Sequence, residues 1–219
     1  MRAGYLAGRK HAPESLGRVL VLGLGKSGKA CVEYLRPLLG RRVEALAVAA
    51  GAETPGGRAW AEAQACEGLR VAFDREAIEG DYDLCIASPG ISERSGFYRS
   101  AAAHSAEVVS EVEFAWRESA ADAAWVAITG TNGKTTTTAL TAHLLQQAGF
   151  AAQAVGNIGD ACIEAVAAGR TSAYVAEVSS YQLASTRRFA PQVAVMLNIT
   201  PDHLSWHGSH EAYVQAKEK

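Results

Sequence analysis

The chain has 219 residues, of which 48% are hydrophobic and 20% charged, with 21 glycines against 6 prolines; this excludes a mini-scaffold, a disordered chain and a collagen-like one. Lys and Arg number 21 and Asp and Glu 23, so the formal charge of -2 provides no global field to attract nucleic acid or an acidic membrane, and any phosphate recognition has to be local. The four cysteines, Cys31, Cys66, Cys85 and Cys162, form no CxxC pair, which suits reduced, buried thiols better than a disulfide framework or a zinc site.

No run approaches ~18 uninterrupted apolar residues and the N-terminus lacks a signal-peptide core, so a cytoplasmic protein is expected. After a polar leader, Arg18 to Leu22 reads as a strand, Gly23-Leu24-Gly25-Lys26-Ser27-Gly28 as a tight turn, and Lys29 to Leu39 as a helix. Further strands are expected at Val43 to Ala49, Leu69 to Phe73 and Tyr82 to Ala87, the last ending at Ser88-Pro89-Gly90. Alternation of strands with helical segments implies a parallel α/β sheet, since each crossover needs a helix. Ala101 to His104 is expected as helix, Glu107 to Val109 as a short strand and Val112 to Glu118 as a helix, with Ser119 to Ala123 as a domain boundary. Beyond it a second strand-glycine-helix unit begins: Trp125 to Ile128, then the loop Thr129-Gly130-Thr131-Asn132-Gly133-Lys134-Thr135, then a helix from Thr135 to Gln147 ending near Gly149. Later strands are expected at Ala173 to Val178 and Gln192 to Leu197. AYVQAKEK reads as a helix without a capping glycine, from which a chain cut short is expected.

The strongest local signal is GTNGKTTTT, Gly130 to Thr138. Loop amides and the positive helix end can hold phosphate oxygens, Lys134 can reach terminal phosphates, and the Thr135 hydroxyl can meet magnesium. The spacing departs from GxxxxGK[ST], with Ile128 where the first glycine would stand, so a structural glycine turn stays open beside a nucleoside-triphosphate loop. Glu177, near the end of an apolar strand, reads as a magnesium ligand or a surface acid. Asp202 and His203 lie at another strand end, where His203 either contributes to a metal site or orients a loop; His207 and His210 read as surface histidines. Gly156-Asn157-Ile158-Gly159 either turns amides toward an anion or is a plain turn. Ser179, Ser180 and Gln182 either bind substrate or cap a helix. GLGKSG is weaker: other nucleotide recognition, NAD binding and a structural turn all stay open, and EALAVAAGAE lacks an acid cleanly at its strand end, Glu53 lying late.

In these residues the chain resembles the Mur ligase family. The segments that carry the resemblance are GLGKSG, ASPGI, VSEVEF, AITGTNGKTTT, GNIG, AEVSSYQL, NITPDHL and YVQAK, in family order over nearly the whole chain. The resemblance implies a Rossmann-like parallel sheet domain over 1–122 that binds the uridine diphosphate part of the substrate, followed over 123–219 by the first part of a P-loop α/β central domain that binds ATP and Mg2+. A C-terminal amino-acid-binding domain is expected to be absent. By motif match, Gly130, Thr131, Asn132, Gly133, Lys134, Thr135 and Thr136 contact ATP phosphates. Thr135, Glu177, His203 and a carbamylated Lys217 serve the metal sites, and Lys134, Glu177, His203 and Lys217 form the catalytic set. Gly25, Lys26, Ser27, Ser88, Pro89, Gly90, Asn157, Ser179 and Gln182 contact the UDP-substrate. Without the resemblance Lys217 reads as a solvated surface lysine. The implied reaction is ATP-dependent addition of D-glutamate to UDP-N-acetylmuramoyl-L-alanine through an acyl phosphate, with no nucleic-acid or membrane partner and a monomeric state. The alternatives are another Mur-type amide ligase or, for this polypeptide, a non-catalytic UDP-substrate-binding fragment; little turnover is expected of this chain alone.

Overall fold

The computed structural model describes residues 4–219, which divide into two compact units. The first comprises Pro13–Val109 with Gly4; the second comprises Tyr5–Ala12 and Ser110–Lys219.

In the first unit the elements run β1 (Gly17–Leu22), α1 (Lys26–Leu35), a 3-10 turn (Arg36–Leu38), β2 (Val43–Ala49), α2 (Pro55–Gln64), β3 (Leu69–Ala72), β4 (Tyr82–Ala87), α3 (Gly96–Ala103) and β5 (Ser105–Ser110). They form a five-stranded sheet in the order β3-β2-β1-β4-β5, with β1 parallel to both β2 and β4, and β2 parallel to β3. Val19, Leu20, Val21 and Leu22 are all buried, as expected of a parallel strand covered on both faces. Order reverses between β1 and β4, so the loops after these two strands flank the crevice where doubly wound sheets bind ligands. There α1 sits directly over the β1 turn: a Cβ on Gly28 would lie 2.1 Å from the Gly23 carbonyl oxygen, so only glycine permits this approach. Two features depart from the sequence reading. Helix α2 has no buried residue; Pro55 in its first turn and the Thr54 hydroxyl, which accepts from Gly57 N at 3.1 Å, start it. The β3-β4 connection contains no helix, only a loop whose Ile78 is buried against the core.

The second unit contains α4 (Glu111–Glu118), β6 (Ala124–Thr129), α5 (Lys134–Gln147), β7 (Ala152–Gly156), α6 (Cys162–Ala168), β8 (Ala173–Glu177), α7 (Ser180–Ala184), β9 (Val193–Met196), α8 (Leu204–His207) and α9 (His210–Glu218). Its sheet has the order β7-β8-β6-β9 with every pair parallel. Ile128 pairs with Glu177 and Thr129 with Met196, so the C-terminal ends of β6, β8 and β9 lie side by side.

The expected division at 122/123 differs from the observed one, because α4 is bound into the second unit by buried carboxylates. Glu111 accepts from Ile163 N at the start of α6 (2.7 Å). Glu113 accepts from the Arg117 guanidinium (3.0 Å) and from the amides of Arg187 and Arg188 (3.0 Å for the latter). The segment Tyr5–Ala12 lies against α4 and its sequel: Arg9 bridges Ala120, Lys10 N donates to Ser119 O (3.0 Å), and the His11 ring meets Trp116 at 4.8 Å.

Candidate functional site at the phosphate loop

The β6-α5 loop turns at two glycines. Gly133, with φ +84, begins α5 from the left-handed region, a conformation favoured by a residue without a Cβ. Gly130, with φ +151, presses against Leu197 and Asn198; an added Cβ would meet Leu197 Cβ at 3.1 Å. The 14-residue α5 then points its first, intrahelically unpaired N–H groups and the positive end of its dipole toward the sheet's C-terminal edge.

Glu177 is 1% exposed, and among the described residues its carboxylate meets neutral donors: the Thr135 hydroxyl at 2.8 Å and the Asn157 side-chain amide at 2.7 Å. The Asn157 backbone amide also donates to Glu177 O at 3.0 Å, which ties the GNIG turn to the end of β8. A buried carboxylate beside a hydroxyl, with its charge not offset by a basic group, is a donor set suited to a hard divalent cation. Mg2+ is commonly held by one or two carboxylates together with substrate phosphates, so Thr135 and Glu177 fit the expected ion.

Opposite in sign is Lys217, 5% exposed, whose ammonium donates to Thr129 Oγ1 (3.0 Å) and Gly130 O (2.9 Å) and lies 5.1 Å from the Tyr213 ring centroid. Burial, reinforced by nearby Lys134 and opposed by Asp202, lowers its pKa to about 8. Lys134 Nζ also donates to Gly130 O and to Thr131 O, both at 2.9 Å, so two ammonium groups converge on one loop carbonyl.

The other expected ligands are engaged differently. His203 is exposed, in the left-handed region at φ +52, with Nε2 3.3 Å from Asp202 Oδ2 and its ring 4.8 Å from that of Tyr181. Among the described residues, no three His, Cys, Asp or Glu side chains gather as a metal-holding group. Ser179 and Gln182 form a capping box on α7: Gln182 Oε1 accepts from Ser179 N (2.8 Å) and Ser179 Oγ accepts from Gln182 N (3.3 Å). His207 corrects the surface reading: it is 6% exposed, 2.9 Å from Ser180 Oγ and packed against Tyr181, Trp206 and Tyr213. Burial, with His203 and Lys217 nearby, lowers its pKa, so it is neutral near pH 7. In the first unit, Gly25, Lys26 and Ser27 start α1 while Ser88, Pro89 and Gly90 follow β4, and Ser88 Oγ lies 3.4 Å from Gly23 O. Both groups therefore flank that unit's switch point.

Among the residues absent from the sequence-derived set that touch the loop are Asn198 and Tyr213. Asn198 bonds Asn132 through both ends of its side-chain amide, and the Tyr213 hydroxyl lies 2.8 Å from Thr131 Oγ1. Both stand inside recognised segments, NITPDHL and YVQAK, but neither carries a charge or a metal-ligand chemistry that would have singled it out.

Comparison with known proteins gives concordant likenesses. Residues 17–110 match the Mur ligase MurD-like N-terminal domain and 128–219 the Mur ligase middle domain; the first match ends at the unit boundary. Proteins named UDP-N-acetylmuramoylalanine--D-glutamate ligase are similar to the chain: that of Gloeobacter violaceus is 39% identical over 213 residues (92% of this chain, 45% of the relative). That of Corynebacterium efficiens is 39% identical over 214 residues (94% and 44%), and that of Frankia casuarinae 40% over 201 residues (91% and 42%). The chain thus spans less than half the length of these relatives. The crystal structure of UDP-N-acetylmuramate:L-alanyl-gamma-D-glutamyl-meso-diaminopimelate ligase from Neisseria meningitides covers 92% of this chain and 66% of its own with a TM-score of 0.51 at 17% identity, a likeness of fold.

Proposed function

The chain belongs to the Mur ligase family, and from that premise we propose that the whole protein uses ATP to join D-glutamate to UDP-N-acetylmuramoyl-L-alanine. The observation that carries the reading is the pairing of a β6-α5 phosphate loop with a buried carboxylate, Glu177, 2.8 Å from the first-turn hydroxyl of Thr135. The relatives' printed name supplies the substrates.

In this reading the switch-point loops of the first unit, with Gly25, Lys26, Ser27, Ser88, Pro89 and Gly90, hold the uridine diphosphate part. Asn157, Ser179 and Gln182 are further contacts to the UDP-substrate in this reading. ATP phosphates lie at the N-terminus of α5, and Lys134 exchanges the carbonyls of Gly130 and Thr131 for phosphate oxygens. Magnesium held by Thr135 and Glu177 would offset phosphate charge and orient the γ-phosphoryl group. The substrate's L-alanyl carboxylate attacks that phosphorus, ADP leaves, and the carboxylate oxygen becomes part of an acyl phosphate. The amine of D-glutamate then attacks the acyl carbon, loses a proton, and displaces inorganic phosphate as the amide forms. Activation is needed because an unactivated carboxylate has no adequate leaving group. His203 and a carbamylated Lys217 would complete the metal site; addition of carbon dioxide to the neutral Lys217 amine, with loss of a proton, would put an oxygen-bearing anion where the buried cation stands. Among the described residues no helix is long and apolar enough to cross a membrane, and a monomeric protein in the cytoplasm fits these water-soluble reactants.

The test is phosphate release by the whole protein with MgATP, UDP-N-acetylmuramoyl-L-alanine and single amino acids. Release that requires D-glutamate and is abolished in Lys134→Ala is expected. Release with a different amino acid would transfer the assignment to another Mur-type ligase, and release indifferent to Lys134→Ala would remove the loop from the chemistry.

A further inference from the structure

Asn198 stands two residues beyond β9, where the regular ladder between β6 and β9 gives out. Leu197 N still donates to Thr129 O at 3.0 Å, and Thr131 N donates to Asn198 O at 3.0 Å. The next rung is made by a side chain: Asn198 Oδ1 accepts from Asn132 N at 2.9 Å and Asn198 Nδ2 donates to Asn132 O at 3.1 Å. A carboxamide presents an acceptor and a donor in one plane, as a peptide group does, so Asn198 continues the ladder into the loop.

A second brace reaches the same loop from α9 and the segment after Asn198. Thr131 Oγ1 lies 2.8 Å from the hydroxyl of Tyr213, a residue 1% exposed. The same oxygen accepts from Thr200 N (2.9 Å) and donates to Thr200 O (3.1 Å). Thr131 is therefore held through both its backbone and its side chain, and Asn132 through both polar atoms of its backbone.

Each backbone amide has one proton to donate. The amides of Thr131 and Asn132 are already directed at Asn198, whereas those of Gly133, Lys134, Thr135 and Thr136, at the start of α5, have no partner by helix geometry. We propose that Asn198 is a positioning residue for the phosphate loop, bracing Thr131 and Asn132 so that phosphate is received by the amides of Gly133 to Thr136 alone. This rests on the reading of the loop as a nucleotide site and deepens it: Thr131 and Asn132, expected as phosphate contacts, shape the cradle instead of lining it.

Residue-resolved amide exchange and MgATP binding by this chain decide the matter. In the nucleotide-free chain, slow exchange at Thr131 and Asn132 is expected; Asn198→Ala, which removes the side-chain acceptor of the Asn132 amide, should accelerate exchange at Asn132 with little change in the thermal midpoint. MgATP should slow exchange at Gly133 to Thr136 without further slowing Thr131 and Asn132. Loss of the side-chain rung should weaken MgATP binding about 10-fold, the equivalent of about one hydrogen bond. Tyr213→Phe, which keeps the buried ring and removes only the hydroxyl, tests the second brace and should weaken binding in the same direction. Unchanged exchange at Asn132 in Asn198→Ala overturns the brace. Unchanged affinity in Asn198→Ala, where Lys134→Ala has lost it, overturns the positioning role while leaving the nucleotide reading intact. If neither the wild-type chain nor the whole protein binds nucleotide, and Lys134→Ala is no different, the nucleotide reading falls together with the phosphate half of the proposal; the exchange rates of the nucleotide-free chain still judge the brace by themselves.

Discussion

Glu177 and Lys217 bring opposite charges into the second unit, each met by neutral hydrogen-bonding groups. For Lys217 the consequence is a pH dependence whose sign follows from linkage. Its folded pKa of about 8 lies below the unfolded value of 10.5. From about 8 to 10.5 the unfolded chain therefore retains a proton that the native chain has released, and the contribution to stability rises with pH across that window. Below it the full penalty of the buried charge is present. Lys217→Met should show no such rise, so the difference in denaturation midpoint between variant and wild type should shift steadily in favour of wild type between those pH values; a constant difference would refute the burial argument. Gly156 gives a steric prediction. At φ +96 its added Cβ would lie 2.6 Å from the backbone oxygen of Glu177, so Gly156→Ala should cost about 2 kcal/mol or more, read by denaturant unfolding. The same change should displace Asn157 from the Glu177 carboxylate.

At the scale of elements, β9 is out of keeping with its neighbours. Every residue of β8 is buried, whereas in β9 Val193 is 48% and Met196 42% exposed. VAVM has the composition of a parallel strand covered on both faces, but among the described residues it is the edge strand of its sheet. Because both side chains face solvent, Val193→Lys with Met196→Lys should cost less than about 1 kcal/mol in denaturant unfolding; a larger loss would show that this face of the strand is packed. The elements most legible in the sequence are those with apolar runs ended by glycine, such as β1, β6 and α5. Helix α2 escaped because PGGRAWAEAQ buries nothing and contains two glycines; its cap at Thr54, rather than an apolar face, starts it. The short capping-box helix α7 shows the converse case. SSYQ is readable as a cap or as substrate ligands, and the cap is what the fold displays.

Over the whole molecule the chain does not pass from one unit to the next in a single step. Tyr5–Ala12 belongs to the second unit, Pro13–Val109 to the first, and Ser110 onward to the second again. Deleting residues 1–12 should therefore destabilise the second unit. Its unfolding can be followed through Trp116, which packs against His11 at 4.8 Å, and Trp125, which stacks on Tyr174 at 4.6 Å. A lower midpoint for this fluorescence change is expected, with the first unit's far-ultraviolet transition unmoved; the opposite pattern would contradict the assignment of the segment.

The amino-acid sequence by itself determined the α/β class, the order of the strands along the chain, the two strand-glycine-helix turns and the residue types from which a phosphate site is built. These are local properties, set by apolar periodicity and by which residues can turn or cap a helix. Tertiary structure decided what those residues do with their hydrogen bonds: Asn198 meets Asn132 across 66 positions and Lys217 meets Thr129 across 88. It also moved the unit boundary to Val109/Ser110 and buried His207. A polar group bonds to whichever partner the fold brings within reach, and that partner is not written in the neighbouring sequence.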